Sequence, residues 1–227
     1  MKRIVAVVGD YYHDAALIKE SLEAAQREQD VRWQVEYATV EQLTGKLSEN
    51  PEAVLLFKED RIQPQDAPDR LWMSADLAAR IVSYVESGGG WLAWHSGLAS
   101  YAVEGAYVQM LRGYFKYHPS EHQTVTYVGG YPGDTAAGGA ECRERAEDGN
   151  RRVQFAIVDE HYFVHCDTER TNVFLRSRSV DGESIAGWSH SFGKGRVCCL
   201  TPAHLRDGLL HPEQLGLLRQ CISWLAG

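Results

Sequence analysis

The residues of this chain best suited to chemistry stand where apolar runs stop. His95 closes the run WLAW after a glycine triplet, in the segment GGGWLAWHS from Gly88 to Ser96. His118 follows GYFKY and precedes Pro119, His190 ends SIAGWSH, and His204 follows GRVCCLTPA. Asp159 and Glu160 come directly after the apolar FAIV. An imidazole can exchange a proton near neutral pH or ligate a metal. A partly buried carboxylate can orient an imidazole or act as an acid or base. Ligands of open α/β sheets bind outside the carboxyl ends of the strands, so strand-end histidines and carboxylates are the natural candidates. His95, His118, Glu160 and His190 are therefore the candidate catalytic groups. Trp94, Ser96, Tyr117, Asp159, Trp188 and His204 are the candidate substrate contacts, because aromatic faces with a polar edge suit sugar rings. Each histidine also has a plain structural role open to it, as a donor to a loop carbonyl.

The metal question stays open at this level. His161 and His165 are four apart, which on a helix would let both touch one ion. EHYFVHC reads as a strand, however, and its rise would separate them by roughly 13 Å. A divalent ion such as zinc could instead be held by His95, His118 and a carboxylate. No nucleotide-cofactor motif is present: GxGxxG does not follow the first strand and there is no GxxxxGK[ST]. GKGR at Gly193–Arg196 reads as a tight turn between strands. A serine nucleophile at Ser96 lacks the GxSxG elbow, since Trp94 occupies the first glycine position.

The elements that must position these groups follow from periodicity. Arg3–Gly9 (RIVAVVG) is a β-branched run, as expected of a strand buried on both faces. From Asp14 to about Glu28, apolar residues recur at helical spacing through Leu17, Ile18, Leu22 and Ala25. VRWQVEYATV is a second strand, a short helix carries Leu43 and Leu47, and Ala53–Phe57 is a third strand. KEDRIQPQDAPDR is a polar, proline-containing loop. Ser74 caps a helix with Leu77, Ala78, Ile81, Val82 and Val85 on one face, and WLAW is the fourth strand. The second half holds QTVTYVG, VQFAIV, NVFLRSRS, SIAGWSHS and GRVCCL, strand-like runs expected to add antiparallel strands or a β-rich excursion. Residues 129–150 read as an exposed loop, and LLHPEQLGLLRQCISWLAG as a C-terminal helix. The expected fold is a three-layer α/β/α, flavodoxin-like unit spanning 1–227, with a mostly parallel sheet and antiparallel additions in the second half.

Composition narrows the function classes. With 227 residues and 44% hydrophobic content the chain can bury a sizeable core. A formal net charge of −8 without a basic stripe opposes nucleic-acid binding. No apolar run reaches membrane-spanning length, and the start reads as a first strand, with no signal peptide. Cys142, Cys166, Cys198, Cys199 and Cys221 are odd in number and contain no CxxC, so a reducing, cytoplasmic setting is expected.

Five segments in order, from Ser83 onward, carry a resemblance: GGGxxxxHS, GYFKYHPSEHQTV, IVDEHYF, IAGWSHSFGKGRVCCLTPAH and the terminal HPEQ…ISWLAG. Together they resemble the ThuA-like (trehalose utilisation) family, whose fold is similar to that of class I glutamine amidotransferases. The chain departs from it between the second and third segments, where a Gly/Ala/Arg-rich stretch replaces a second His-Pro step. The resemblance implies a role in disaccharide metabolism, on a trehalose-type or oxidised sugar. It also places His95 where an amidotransferase carries its cysteine, so cysteine-dependent glutamine hydrolysis is not expected. The expected partner is a small-molecule sugar, with neither nucleic acid nor membrane. Two further readings stand beside this one: a non-catalytic module that binds ligand or builds a homo-oligomer, and a metal-dependent hydrolase.

Overall fold

The structure, a computed structural model, describes residues 1–27, 32–133 and 152–227. The first half alternates strand and helix: β1 (Lys2–Val8), α1 (Ala15–Gln26), β2 (Trp33–Tyr37), α2 (Val40–Ser48), β3 (Ala53–Phe57), then α3 (Ala75–Glu86) and β6 (Gly90–Trp94). Between β3 and α3 lies a small antiparallel hairpin, β4 (Arg61–Gln63) and β5 (Ala67–Leu71). The polar, proline-containing loop expected there is corrected to this hairpin. Pro64 lies between the two strands, and Pro68 sits in an isolated two-stranded sheet with no further partner strand to supply.

After β6, a 3-10 turn (His95–Leu98) leads into α4 (Ala106–Leu111) and β7 (Gly113–Tyr117). The remaining elements are β8 (Gln123–Gly129), β9 (Val153–Asp159), β10 (Phe163–Cys166), β11 (Asn172–Ser179), β12 (Gly182–Phe192), β13 (Gly195–Leu200), α5 (Arg206–Leu209) and α6 (Pro212–Ala226). The loop expected at 129–150 begins after β8, and its residues 134–150 lie outside the described residues, as does Cys142.

Nine strands form one sheet in the order β2-β1-β3-β6-β13-β12-β11-β8-β9. The first five run parallel, and the last four are joined antiparallel, one to the next. Thus β8, β9, β11 and β12 are antiparallel additions to the central sheet, whereas β13, expected among them, joins its parallel part beside β6, and β7 and β10 pair as a separate antiparallel ribbon. Alternation along each central strand splits the core in two. Leu55, Phe57, Leu92 and Trp94 face the layer of α1 and α6, whereas Val54, Leu56, Trp91 and Ala93 face α2, α3 and α4. Gly193 and Lys194 make the tight turn between β12 and β13, with Gly193 at φ 58°.

Strand direction decides what reaches the functional edge. Because β8 and β12 are reversed, β9 points the same way as β1, β3, β6 and β13. The carboxyl end of β9 therefore shares an edge with theirs.

Candidate metal centre

Four strand ends build the site. After β1 the chain turns at Gly9, whose φ is +90°; a Cβ there would meet the Cβ of Ala15 at 2.6 Å. The turn places the Asp10 carboxylate, almost wholly buried, at the centre of four donors. It accepts from the Tyr12 amide (3.0 Å), His13 Nδ1 (2.6 Å), the Ser96 hydroxyl (2.7 Å) and the Glu59 amide (3.1 Å). Burial would raise this carboxyl, but the bonds from His13 and Ser96 outweigh it and bring its pKa to about 2. An ionised carboxylate can only accept, so His13 carries its proton on Nδ1. Its Nε2, buried and without a hydrogen-bond partner, keeps a free lone pair.

At the end of β6, His95 takes φ +49°, a left-handed conformation uncommon for a residue with a side chain. Gly97 lets this turn sit down on β3, since a Cβ there would lie 2.3 Å from the Leu56 carbonyl oxygen. His95 is fully buried. Its Nδ1 donates to the Thr201 carbonyl at 2.6 Å, which again leaves Nε2 as a lone-pair donor without a partner. Tyr162 stacks on the ring at 4.0 Å and fixes its plane. Beyond β13, the Asp159 carboxylate holds the next loop by accepting the backbone N–H groups of His204 (2.9 Å) and Leu205 (3.3 Å). Burial pushes Asp159 up to about 7. His204 Nδ1 is the third buried imidazole nitrogen without a hydrogen-bond partner.

Glu160 closes the set from the end of β9. Its Oε2 lies 3.4 Å from His95 Nε2 and 3.5 Å from His204 Nδ1. One ligand atom from each of His13, His95, Glu160 and His204 falls within 4.8 Å of all the others. Ligands about 2.0–2.1 Å from a tetrahedral zinc stand about 3.4 Å apart, so the two contacts to Glu160 already have that spacing. Burial lowers both His95 and His204, the latter to about 4. Burial works against ionisation of Glu160, yet the imidazoles of His95, His204 and His118 around it bring it down to about 2. At neutral pH His95 and His204 are thus neutral imidazoles beside one carboxylate, the protonation state that ligation of a transition metal requires. The donor set fits a divalent transition ion, with Asp10 and the Thr201 carbonyl orienting two of the ligands from behind.

The sequence candidates divide on this geometry. His95, Glu160 and His204 come together at the edge. His118 stands at the mouth, partly exposed, with Nδ1 on the Pro119 carbonyl (2.7 Å) and Nε2 3.7 Å from Glu160 Oε1. Ser96 and Asp159 touch the cluster indirectly, through Asp10 and through the backbone of His204. Tyr117 is half exposed on the neighbouring strand β7. Three expectations are corrected. His190 lies within antiparallel β12, opposite Val197 and away from the edge, with Nε2 on the Met110 carbonyl. Trp94 and Trp188 are fully buried, their indole N–H groups on the Pro202 and Leu111 carbonyls, and they present no face to a ligand. His161 and His165 are indeed apart: the first bonds Ser177 and Ser179, and the second lies against Tyr114. Sequence reasoning missed His13. Its signal was like that of His95, a histidine shortly after the end of a buried strand, here the run RIVAVVG that ends at Gly9.

A family model described as trehalose utilisation matches residues 5–225. The chain belongs to the ThuA family. No curated protein sequence matches it. A ThuA-like protein from Parabacteroides merdae shares the fold at a TM-score of 0.66 and 12% identity, over 99% of this chain and 90% of that one. A cytoplasmic protein from Salmonella typhimurium LT2 does so at 0.61 and 12% identity, over 99% of both chains. A beta-galactosidase from Bacillus circulans sp. alkalophilus aligns at 0.61 and 12% identity over 98% of this chain but 31% of its own. At these identities the likeness shows the fold. Membership in ThuA supports a carbohydrate-related role in general terms, and no described helix of this ThuA member is long and apolar enough to cross a membrane.

His190 gives a test of its reassignment. Burial, with Arg112 nearby, lowers its pKa from 6.5 to about 4 while Nδ1 stays buried and unpartnered. A histidine depressed in the fold is neutral there and protonates more readily unfolded, so its contribution is lost as pH falls from 6.5 to 4. That window is worth up to about 3 kcal/mol. His190→Gln, which keeps a donor toward Met110, should flatten the loss of stability across it while leaving metal binding intact. Urea unfolding at pH 7 and pH 4.5 reads the first effect; an unchanged pH dependence would contradict the assignment.

Proposed function

We propose that this chain is a metal-dependent enzyme acting on a small sugar in the cytoplasm, a trehalose-type or oxidised disaccharide being the first candidate. One observation carries the reading: three buried imidazole nitrogens without partners converge with a carboxylate at the carboxyl edge of an α/β sheet. His13, His95 and His204 would hold the ion through their free nitrogens, with Glu160 Oε2 completing the set. Such an ion, when bound, acts as a Lewis acid toward a carbonyl or hydroxyl oxygen. Glu160 would take a proton from substrate through Oε1, the carboxylate oxygen that faces His118. His118, facing Oε1 and partly exposed, carries the proton between Glu160 and solvent. Tyr162 and Phe57 keep the floor dry, so charge changes at Glu160 act in a low dielectric.

The test is turnover of trehalose, its 3-oxo derivative and glucose by protein stripped of metal and then reloaded with zinc, manganese or iron. Activity that falls at least a hundredfold on stripping, returns on reloading and is absent in His95→Ala supports the proposal. Equal activity with and without metal would overturn it. The complete burial of His95 also suits the assembly-module reading, for which neither metal nor sugar would matter.

A further inference from the structure

A cavity of about 320 Å³ opens where the β7–β10 ribbon meets β11 and β12. Lys116, Tyr117, Phe163, Arg176, Glu183 and Ser184 line it. Tyr117 and Phe163, paired across the two strands, stack at 4.8 Å with ring planes 5° apart, and Tyr117 is 51% exposed. Among the described residues no carboxylate comes within ion-pair distance of Lys116 or Arg176. The acidic lining group, Glu183, instead faces Arg178 at 3.7 Å. Two cations without an ion-pair partner among the described residues, beside an open aromatic face, are a local exception in a chain of net charge −8.

The cavity and the metal centre hang on the same chain segments. Lys116, Tyr117 and His118 are consecutive, and His118 faces Glu160. Phe163 follows Glu160 by three residues, at most about 11 Å of extended chain. A sugar ring with one substituent spans a gap of that order.

We propose that this cavity is a subsite for a sugar bearing an anionic substituent, a phosphate or a carboxylate. The anion sits between Lys116 and Arg176, where a guanidinium can bind it in a bidentate fork, and the ring packs on Tyr117. As a ligand site this stands alone; as a substrate subsite it rests on the metal-centre reading, whose reacting atoms it would help to place.

Calorimetric titration of the full chain with glucose 6-phosphate, glucuronate, glucose and inorganic phosphate tests it. One of the two anionic sugars should bind at least tenfold more tightly than both glucose and inorganic phosphate. Lys116→Ala/Arg176→Ala, a surface change, should abolish that preference without altering the melting temperature. Tyr117→Ala should weaken the sugar more than phosphate. Equal binding of glucose and the anionic sugars, no binding of any probe, or a preference that survives the double variant would each overturn the proposal, and phosphate binding as tightly as its sugar ester would reduce the site to an anion patch. Metal-stripped protein should keep the preference. Failure of the metal reading alone would therefore appear as lost metal binding with the anionic preference intact.

Discussion

Zinc added to metal-stripped protein should bind at one equivalent and stabilise the fold by about 4 kcal/mol once free zinc stands a thousandfold above Kd. The basis is the set of orphaned donors. The free nitrogens of His13, His95 and His204 are buried without partners, beside an ionised Glu160. Unmet buried polar atoms cost stability, and ligation removes that cost at three positions together. His13→Ala/His204→Ala should remove both the stoichiometric binding and the zinc-dependent rise in melting temperature. A metal-free double variant that melts near the metal-free wild type shows that the fold is intact. A zinc response that persists in the double variant would place binding elsewhere.

Asp10→Asn should weaken metal binding 10- to 100-fold, the usual effect of losing a carboxylate behind a histidine ligand. Asp10 takes four donors, among them His13 Nδ1–H, and so fixes the tautomer that points Nε2 into the centre. An asparagine amide can turn its own N–H toward His13 and select the other tautomer. Asp10→Ala should do more: it leaves buried donors unsatisfied and should cost about 3 kcal/mol of stability besides the affinity. Competition titration with a chromophoric chelator measures the first effect and urea unfolding the second. Unchanged affinity in Asp10→Asn would mean that His13 is not a ligand.

Much of the scaffold was legible in sequence because its rules are local. AVLLF at Ala53–Phe57 and GWLAW at Gly90–Trp94 are continuous apolar runs bounded by turn residues, and both form fully buried parallel strands. Ser74 reads as a cap and accepts the Leu77 amide at 3.2 Å. The site was harder, because a strand end is visible in sequence but its direction in the sheet is not. His190 ends a strand-like run just as His95 does, yet β12 runs against β13 and carries it toward the opposite edge. Glu160 reaches the centre because two reversals return β9 to the right direction, a matter of topology that periodicity does not encode. Trp94 and Trp188 looked like ligand platforms by proximity, whereas their strands are covered on both faces there and bury both. His13 shows the reverse error. Its strand end was read correctly and its side chain was not asked about, since Tyr11 and Tyr12 separate it from the strand.

The most direct measurement is anomalous diffraction at the zinc edge from crystals of the reloaded protein. The account requires one strong peak bounded by His13 Nε2, His95 Nε2, His204 Nδ1 and the Glu160 carboxylate. Crystals that show no peak there, or a peak only at other residues, would contradict it.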